Sequence, residues 1–409
     1  MAEWIFGTPL WTSENEPPAL YPWLAKNEDC DVLVIGGGAA GAMAAARFAE
    51  AGVNIVLASR SPLGFEGTSV CGGMLTYDGG LMLTELSRKI GKEAAIRCFT
   101  LWSESIEKLH GTLPAGAEIT CRNTLCFTDD ETEADELHTE YLMRKHNGFN
   151  VDFLDRTQSR DRYSFPVEAG IYSGGLAVET DPYLLTHAAA AAAQQAGARI
   201  YENTDIVSIA AEEDGILAET SLGREIHARR VIMATGFEQD TYLGALAHKR
   251  TTYTLATEPV MSFAGYEDRC LIHRAGKPRL WARSTPDNRL LIGGLDSALA
   301  GSDGKLGRIL GGDRLARARY EELETQLNLM FCAIPNIESA YTYGGITAET
   351  RDGLPVIGCS AEYPHIYFDL CSGPNGLLSA DLASRLLLSA YKKEPNPDLA
   401  LFSPERGTL

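Results

Sequence analysis

Three glycines near the start of the chain have the spacing of a phosphate-binding turn. Gly36, Gly38 and Gly41 form the pattern G-x-G-x-x-G directly after the apolar run "DVLVI" (31–35). In such a turn the first glycine permits a tight bend, and the second lets the backbone approach a pyrophosphate. The third lets the following helix pack closely against the strand. The chemistry that these residues predict is the binding of a dinucleotide, although a glycine-rich turn can also simply join two packed elements.

The neighbouring elements support the dinucleotide interpretation. Residues 31–35 are a branched apolar run typical of a buried parallel strand. The segment "AAGAMAAARFAEAG" (39–52) is a strong helix former that ends at a glycine, and "VNIVLAS" (53–59) follows as a second strand. This order places the N-terminal amides of a helix where phosphates would bind.

The position of the ribose-binding acidic residue, about 20 residues further on, is occupied by Ser59, which Arg60 follows. A serine hydroxyl binds a ribose hydroxyl less strongly than a carboxylate does. Arg60 would pair with a 2′-phosphate, which would indicate NADP, or would face solvent at the end of a strand. On this segment alone both alternatives stay open.

The composition favours a globular protein with a large core and two domains. The chain has 409 residues, of which 45% are hydrophobic and 22% are charged. Its net charge of −19 opposes binding to nucleic acid or to anionic lipid. No basic N-terminal region precedes an apolar run, and no apolar run reaches the roughly 18 residues of a membrane helix. We therefore expect no nucleic-acid partner and no membrane insertion, and the sequence does not specify an oligomeric state.

The cysteines and histidines predict neither disulfides nor a metal site. The nine cysteines form no C-x-x-C pair and are scattered along the chain, which favours free thiols in a reducing compartment. We expect packing roles for Cys71 and Cys371 and a cytoplasmic location. The eight histidines lack metal-ligand spacing, so no metal is predicted.

Local signals predict three further elements. Asp181-Pro182 is a suitable N-cap and first position for a helix over 183–196. The segment 280–296 is predicted to be a hairpin with Pro286-Asp287-Asn288 as its turn. The acidic run "DDETEADELHTE" (129–140) is expected to be solvated.

Later segments of the chain resemble a known family when they are taken in order. With the opening "TPLW…YPWL" and the glycine motif, they resemble the D-amino-acid oxidase family of flavoproteins, which includes glycine, sarcosine and glutamylputrescine oxidases. These segments are "GTSVCGGML" (67–75), "VIMATGF" (231–237), "ATEP" (256–259), "LWARSTPDNRLLIGGLD" (280–296), "GGITAETRDGLPVIG" (344–358) and "IYFDLCSGPNGLLSADLASRLL" (366–387).

The resemblance implies an α/β fold, α+β overall, in which a Rossmann-like FAD-binding domain is interleaved with a mostly antiparallel substrate domain. The FAD-binding domain would comprise residues 1–90, 150–240 and 330–409, and the substrate domain residues 91–149 and 241–329. In sarcosine-oxidase relatives a cysteine is attached to the flavin, and the corresponding position in this chain is Gly345. We therefore expect noncovalent FAD.

The resemblance also implies a set of cofactor contacts. Gly36, Gly38 and Gly41 would lie at the pyrophosphate with Thr68 and Ser69 nearby. Ser59 and Arg60 would lie at the ribose, and Val207 would meet the adenine through its backbone. In this interpretation Arg60 is an ordinary neighbour, which favours FAD over NADP. The remaining predicted cofactor residues are Gly72, Gly73, Thr235, Gly236, Asp352, Gly373, Asn375 and Gly376.

The implied reaction is oxidation of the C–N bond of an amine or amino-acid derivative to an imine, with oxygen as the acceptor that yields hydrogen peroxide. The amides and dipole at the start of the last long helix would favour the negative charge of the reduced ring. Two alternatives are a flavin dehydrogenase that passes electrons to a partner protein or a quinone, and a flavin-binding protein without turnover.

The sequence identifies no catalytic residue, but it offers candidates for the substrate pocket. These are Trp281, Arg283, Tyr343 and Thr347, of which the first two would share one face of a strand. Amino-acid oxidases of the family have a carboxylate-binding arginine where this chain has Thr347. A threonine cannot form that bidentate pair, so simple α-amino acids are disfavoured unless Arg279 or Arg283 supplies a guanidinium.

Overall fold

A computed structural model of the protein describes residues 5–112, 116–236, 242, 246–298, 314–370, 373 and 375–409. The strands are β1 (Ile5–Gly7), β2 (Glu28–Ile35), β3 (Ile55–Ala58), β4 (Met74–Thr76), β5 (Ile119–Thr128), β6 (Val151–Asp155), β7 (Ala169–Thr180), β8 (Arg199–Tyr201), β9 (Ile206–Glu212), β10 (Gly215–Thr220), β11 (Glu225–Met233), β12 (Ala247–Thr257), β13 (Leu271–Arg274), β14 (Leu280–Ser284), β15 (Leu290–Ala298), β16 (Ser339–Thr350), β17 (Val356–Gly358) and β18 (Ile366–Leu370). The helices are α1 (Leu10–Glu14), α2 (Ala39–Glu50), α3 (Leu83–Ile90), α4 (Lys92–Thr112), α5 (Ala134–His146), α6 (Arg156–Arg160), α7 (Pro182–Gln195), α8 (Arg314–Met330), α9 (Gly376–Tyr391) and α10 (Leu399–Phe402).

The strand that precedes the glycine turn lies in the middle of a mainly parallel sheet. Within the described ranges this sheet has eight strands, ordered β17-β18-β11-β2-β3-β8, and β10 and β9 extend it beside β11. Strands β18, β11, β2, β3 and β8 run parallel. In the second half of β2 the residues Val32, Leu33 and Val34 are fully buried, as in parallel strands covered on both faces. Helices α2, α7 and α9 pack together on one face. The carboxyl ends of these strands therefore meet at one edge.

A second, larger sheet is mostly antiparallel. In the described part of the chain it has ten strands, ordered β1-β16-β12-β15-β14-β13-β5-β7-β4, with β6 paired to β7. One face packs against α8 through a core that includes Ile272, Ile292, Leu323 and Leu327. Alternate residues of the same strands point to the opposite face, because successive side chains in a strand alternate. That opposite face faces the candidate site.

The mixed α/β class that the sequence predicts is confirmed. All strands of the parallel sheet come from the segments 1–90, 150–240 and 330–409. The larger sheet takes strands from these segments and from 91–149 and 241–329 as well. The domain boundaries themselves stay a prediction.

The local predictions hold at two places and fail at one. Helix α7 begins after Asp181, whose carboxylate accepts hydrogen bonds from the amides of Tyr183 and Leu184 at 2.8 and 3.1 Å. Strands β14 and β15 form the predicted hairpin. The expectation that the whole acidic run is solvated is wrong for Glu140, which is fully buried. Its burial is possible because the Nε of Arg144, one helical turn later, donates to it at 2.6 Å.

Eight of the nine cysteines are described, and no disulfide joins any two of these eight. Cys371 lies outside the described residues. Of the helices that the structure describes, none combines the length and apolar character needed to cross a membrane. Across the same described ranges, His, Cys, Asp and Glu side chains do not gather in threes or more as a metal site would require.

Candidate functional site

A cavity of about 550 Å³ lies between the carboxyl edge of the parallel sheet and the free face of the larger sheet. The parallel sheet contributes Gly36, Ala58 and Met233, at or just beyond the carboxyl ends of β2, β3 and β11. The larger sheet contributes side chains that include His273 and Trp281. In open α/β sheets ligands bind beyond the carboxyl ends of the strands, so this position is where a ligand is expected.

Each glycine of the turn is required for a different steric reason. Gly36 has a φ of +121°, and a Cβ there would overlap the carbonyl of Ala234. A Cβ on Gly41 would overlap the carbonyl oxygen of Gly36, so α2 packs directly onto the turn. A Cβ on Gly38 would meet only the Thr68 Oγ1 atom, at 3.1 Å. The open side of Gly38 therefore faces the cavity, as the backbone of a pyrophosphate-binding glycine must.

The start of α2 faces the same cavity. Gly37, Gly38, Ala39 and Ala40 all line it, and the amide of Ala39 donates to Thr68 Oγ1 at 3.1 Å. Thr68, which also lines the cavity, thereby fixes the first turn of the helix. Helix N-termini present amides and a positive dipole end to anions, so this arrangement suits a pyrophosphate.

The predicted ribose end contains Ser59 and Arg60, and both line the cavity. Ser59 donates its hydroxyl to the carbonyl of Ser61 at 2.6 Å, so towards a ribose it would act as an acceptor. Arg60 forms a bidentate pair with Glu66, with Nε–Oε1 at 2.6 Å and Nη2–Oε2 at 2.9 Å. A carboxylate beside the guanidinium disfavours a 2′-phosphate there, so the contacts favour FAD over NADP.

The predicted adenine end has an apolar wall. Val207 lines the cavity and its side chain is 58% exposed, which is unusual for a valine in a strand. Thr235 and Gly236, which follow β11 after Ala234, line the same cavity. An exposed apolar side chain in a concave site is suited to cover a flat ring.

The predicted flavin end is formed by glycines and by the start of α9. Gly72, Gly373 and Gly376 line the cavity. The side chain of Asn375 is only 7% exposed, and in the described part of the chain neither of its amide atoms has a hydrogen-bond partner. Asn375 itself does not line the cavity among the described residues, so a cofactor contact for it stays a prediction.

Two other predicted cofactor residues support the loop beneath the cavity rather than line it. Ser69 is fully buried and donates to the carbonyl of Glu66 at 2.8 Å. Gly73 has a φ of +66°, and its carbonyl accepts the amide of Thr180 at 3.0 Å. Both residues shape the segment 67–75, and direct cofactor contacts for them stay predictions.

Asp352 lies at a different place, where it anchors the C-terminal segment. Its carboxylate receives the Nε and Nη2 atoms of Arg406 at 2.7 and 3.0 Å, and the hydroxyl of Thr408 at 2.6 Å. The guanidinium of Arg406 holds the pKa of Asp352 below its ordinary value, although burial opposes this lowering. Among the described residues that line the cavity Asp352 is not found.

The substrate-pocket candidates divide into two pairs. Trp281 and Thr347 line the cavity. The indole of Trp281 lies between two glycines: a Cβ on Gly72 would be 2.8 Å from its Cη2 atom, and a Cβ on Gly293 would overlap it. Arg283 shares the strand face with Trp281, as the two-residue spacing predicts, but it is not among the described lining residues.

Arg283 is buried beneath the N-terminal segment. Its guanidinium lies 5.1 Å from the ring of Trp11 and donates to the carbonyl of Thr180 at 3.0 Å. The indole of Trp11 in turn donates to the carbonyl of Cys71 at 2.8 Å. Tyr343 is buried in the same apolar cluster. Substrate contacts for Arg283 and Tyr343 stay predictions.

One group of ionic side chains at the cavity was not identified from the sequence. His273 lines the cavity, and its Nε2 atom lies 3.3 Å from Asp78 Oδ2. Asp78 is fully buried and also accepts from Arg144 at 2.9 Å, while Arg144 pairs with Glu140. Asp78 raises the pKa of His273 to about 10, against the opposing effect of burial. The sequence signal that could have indicated part of this group is the i,i+4 spacing of Glu140 and Arg144, which is typical of an ion pair on a helix.

A second ionic group lies on the same face of the larger sheet. Arg279 and Asp296 both line the cavity, with Nη1 and Oδ2 3.6 Å apart. Arg279 also approaches Glu349, at 3.3 Å. Arg279 was predicted from the sequence as a possible guanidinium for a substrate carboxylate, but Asp296 was not identified.

The residues that are present fit FAD. The glycine turn and the start of α2 suit a pyrophosphate, and the Val207 wall suits an adenine. The cavity continues from there to the glycines beside α9 and to Trp281. The pairing of Arg60 with Glu66 argues against a phosphorylated ribose.

Comparisons with known proteins show the family and the fold of the chain. The model of the family described as "DAO: FAD dependent oxidoreductase" matches residues 31–390. Glycine oxidase of Geobacillus kaustophilus (strain HTA426) is 25% identical over 394 residues, covering 92% of this chain and 97% of that protein.

Solved structures show the same fold. The crystal structure of glycine oxidase from Geobacillus kaustophilus has a TM-score of 0.74 at 20% identity, covering 93% of this chain and 99% of that one. The crystal structure of L-proline dehydrogenase from P. horikoshii has a TM-score of 0.74 at 17% identity, covering 93% and 98%. Because the family match spans most of its length, the chain belongs to the DAO family of FAD-dependent oxidoreductases.

Proposed function

We propose that this protein is an oxidase of small amines or amino-acid derivatives. In the proposed reaction the carbon beside the amine nitrogen loses a hydride and the C–N bond becomes an imine, which water hydrolyses. FAD, when bound, supplies the two-electron acceptor for that hydride. Oxygen then takes the two electrons with two protons and leaves as hydrogen peroxide.

The observation that carries the proposal is the continuity of the cavity. The same space that borders the phosphate-binding turn reaches Trp281, Arg279 and Asp296 on the larger sheet. A small molecule held there would lie in contact with the flavin end of the cofactor. Such proximity is the main requirement for hydride transfer, since the cofactor performs the bond-breaking step.

The protein groups at this end have separable proposed roles. The indole of Trp281 provides a flat apolar wall for the substrate. Arg279 offers a guanidinium to a substrate carboxylate. It would take the role of the family's carboxylate-binding arginine, whose position is occupied here by the neutral Thr347. The start of α9 presents amides and a positive dipole end beside Gly373 and Gly376, which favours negative charge on the reduced cofactor.

The choice of an amine follows from the relatives. Glycine oxidase is similar to this chain in sequence and in fold, over nearly its whole length. A second candidate function is a dehydrogenase that passes electrons to a partner protein or a quinone. This second candidate is supported by L-proline dehydrogenase, whose TM-score to this chain equals that of glycine oxidase.

A panel of amines and amino acids, tested with and without oxygen, would separate these functions. An oxidase bleaches its flavin anaerobically with a substrate and releases one peroxide per substrate in air. A dehydrogenase bleaches in the same way but releases little peroxide. Protein that no amine bleaches would refute the proposal and favour a binding role without turnover.

Thr347→Arg tests the position of the carboxylate site. Thr347 lines the cavity, so an arginine there would reach the substrate end. We expect a lower KM for small α-amino acids and little change for amines that lack a carboxylate. An equal effect on both classes would show that position 347 does not contact the carboxylate.

A further inference from the structure

The carboxylate of Asp296 reaches the cavity only because β15 contains a bulge. In the first part of the strand Leu290 and Ile292 point into the core under α8, and Gly293 lies under Trp281 on the cavity face. Strict alternation would place Leu295 on the cavity face and Asp296 in the core. The structure shows the reverse: Leu295 is buried in that core, and Asp296 lines the cavity.

Backbone geometry shows how the exchange occurs. The pairing of β12 with β15 shifts between Tyr253–Gly294 and Thr251–Ser297. Gly294 has a φ of +117° and Leu295 a φ of +51°. The left-handed region is unfavourable for leucine because its Cβ atom crowds the following carbonyl oxygen. Bulges and strained residues cluster at functional sites, where they re-aim side chains.

The surroundings of Asp296 combine burial with partial charge compensation. Its side chain is only 8% exposed. Arg279, directly before β14, lies at 3.6 Å, while Thr252 and Arg250 on β12 also favour its charged form and Glu349 on β16 opposes it. Burial outweighs the favourable partners, so the pKa of Asp296 lies above its ordinary value. A raised pKa makes a carboxylate a better proton acceptor.

We propose that Asp296 binds the ammonium group of the substrate and accepts its proton before the C–H bond breaks. The inference rests on the proposed amine oxidation and adds a residue to it. An ammonium R–NH₃⁺ gives one proton to the carboxylate, which leaves R–NH₂ and a neutral acid. The lone pair freed on nitrogen then forms the C=N bond as the hydride leaves the neighbouring carbon for FAD.

The proposal assigns a substrate class. Arg279 and Asp296 are adjacent and of opposite charge, so together they match the carboxylate and the ammonium of an amino acid or of an N-substituted derivative. The competing explanation is that Asp296 serves only as an ion-pair partner of Arg279. Glu349 provides a matched control, because it also pairs with Arg279 but is not among the described residues that line the cavity.

The first test is binding of tert-butylammonium, which has no hydrogen on the carbon beside nitrogen and therefore cannot be oxidised to an imine. Its affinity is read from changes in the visible flavin spectrum of the holoenzyme. We expect Asp296→Asn to weaken binding at least tenfold and Glu349→Gln to change it less than threefold. Equal affinities in all three proteins, or no binding to wild type, would overturn the proposal.

The second test is the pH dependence of kcat/KM with the best amine from the panel. Wild type should use the ammonium form, so kcat/KM should reach a plateau above the pKa of Asp296. Asp296→Asn should use only the neutral amine, so its kcat/KM should rise about tenfold per pH unit up to the pKa of the amine. A loss that is the same at every pH would contradict proton acceptance.

If Asp296→Asn does not retain FAD, a further variant tests the same proposal with Asp296 in place. Thr252→Val removes a hydroxyl that favours the charged form of Asp296, so the acid limb of kcat/KM should move to higher pH. An unmoved limb would count against the proposal. The two tests also separate the failures: without any amine turnover the proposed function fails, while the tert-butylammonium comparison still decides whether Asp296 binds a cation.

Discussion

Replacing Gly38 by alanine should weaken FAD binding while leaving the protein folded. The added methyl would meet only Thr68 Oγ1, at 3.1 Å. The backbone at Gly38 has φ −82° and ψ −177°, which alanine adopts without strain. The protein without cofactor should therefore change in stability by no more than about 1 kcal/mol.

The expected loss of affinity follows from the space on the open side of Gly38. If a pyrophosphate packs against its Cα atom, a methyl must displace it. Insertion of a methyl into a packed contact costs about 1–3 kcal/mol. Because 1.4 kcal/mol is a tenfold change in Kd, FAD should bind roughly 5- to 150-fold more weakly.

Two comparison variants make the measurement specific. A Cβ on Gly41 would overlap the carbonyl oxygen of Gly36, so Gly41→Ala should destabilise the protein with and without FAD. A Cβ on Gly407 would meet nothing within 4 Å, so Gly407→Ala should match wild type in both properties. The assay is the Kd for FAD of the apoprotein, with thermal unfolding of the same samples. Wild-type affinity in Gly38→Ala would refute the placement of the pyrophosphate.

Three further outcomes are expected. Asp78 raises the pKa of His273 to about 10 from an ordinary value near 6.5, so its contribution to folding is complete below about pH 6.5 and is lost as the pH rises through 10. His273→Gln should flatten this alkaline decline of the unfolding free energy in urea titrations. Asp352→Asn leaves the buried Arg406 unpaired and should cost about 3–5 kcal/mol. Because the folded pKa of Asp352 is lowered, wild type should lose that contribution as the pH falls below about 4, and the variant should lack this slope. Acid precipitation should release FAD into the supernatant, since the attachment cysteine of sarcosine-oxidase relatives is replaced by Gly345; colour in the pellet would contradict this.

The local elements were predictable because their signals lie within a few residues. The apolar run 31–35, the glycines after it and the alanine-rich helix former give β2, the turn and α2 in the predicted order. Asp181-Pro182 likewise starts α7. Capping, helix propensity and apolar periodicity act over one or two turns, so they can be recognised in the sequence without knowledge of tertiary contacts.

The position of Arg283 shows what such signals cannot give. Its strand face was predicted correctly, since Trp281 and Arg283 are two residues apart. Whether a residue on that face meets a ligand depends on what covers it. Trp11, more than 250 positions earlier in the chain, lies over Arg283 and leaves Trp281 at the cavity. This cover depends on a tertiary contact that has no local signature.

Asp296 gives the opposite case, in which a local irregularity changes the chemistry of the site. Read with strict alternation, β15 buries Asp296 in an apolar core, where an unpaired carboxylate would be strongly destabilising. The bulge at Gly294 and Leu295 exchanges the two faces and pairs the carboxylate with Arg279. Thr347 is neutral, so the positive charge here comes from Arg279. Its guanidinium is already accompanied by the carboxylate of Asp296. A simple carboxylic acid would meet repulsion from Asp296, whereas a molecule that carries both an ammonium and a carboxylate would satisfy both groups, and on this balance we base the proposal of an amine substrate.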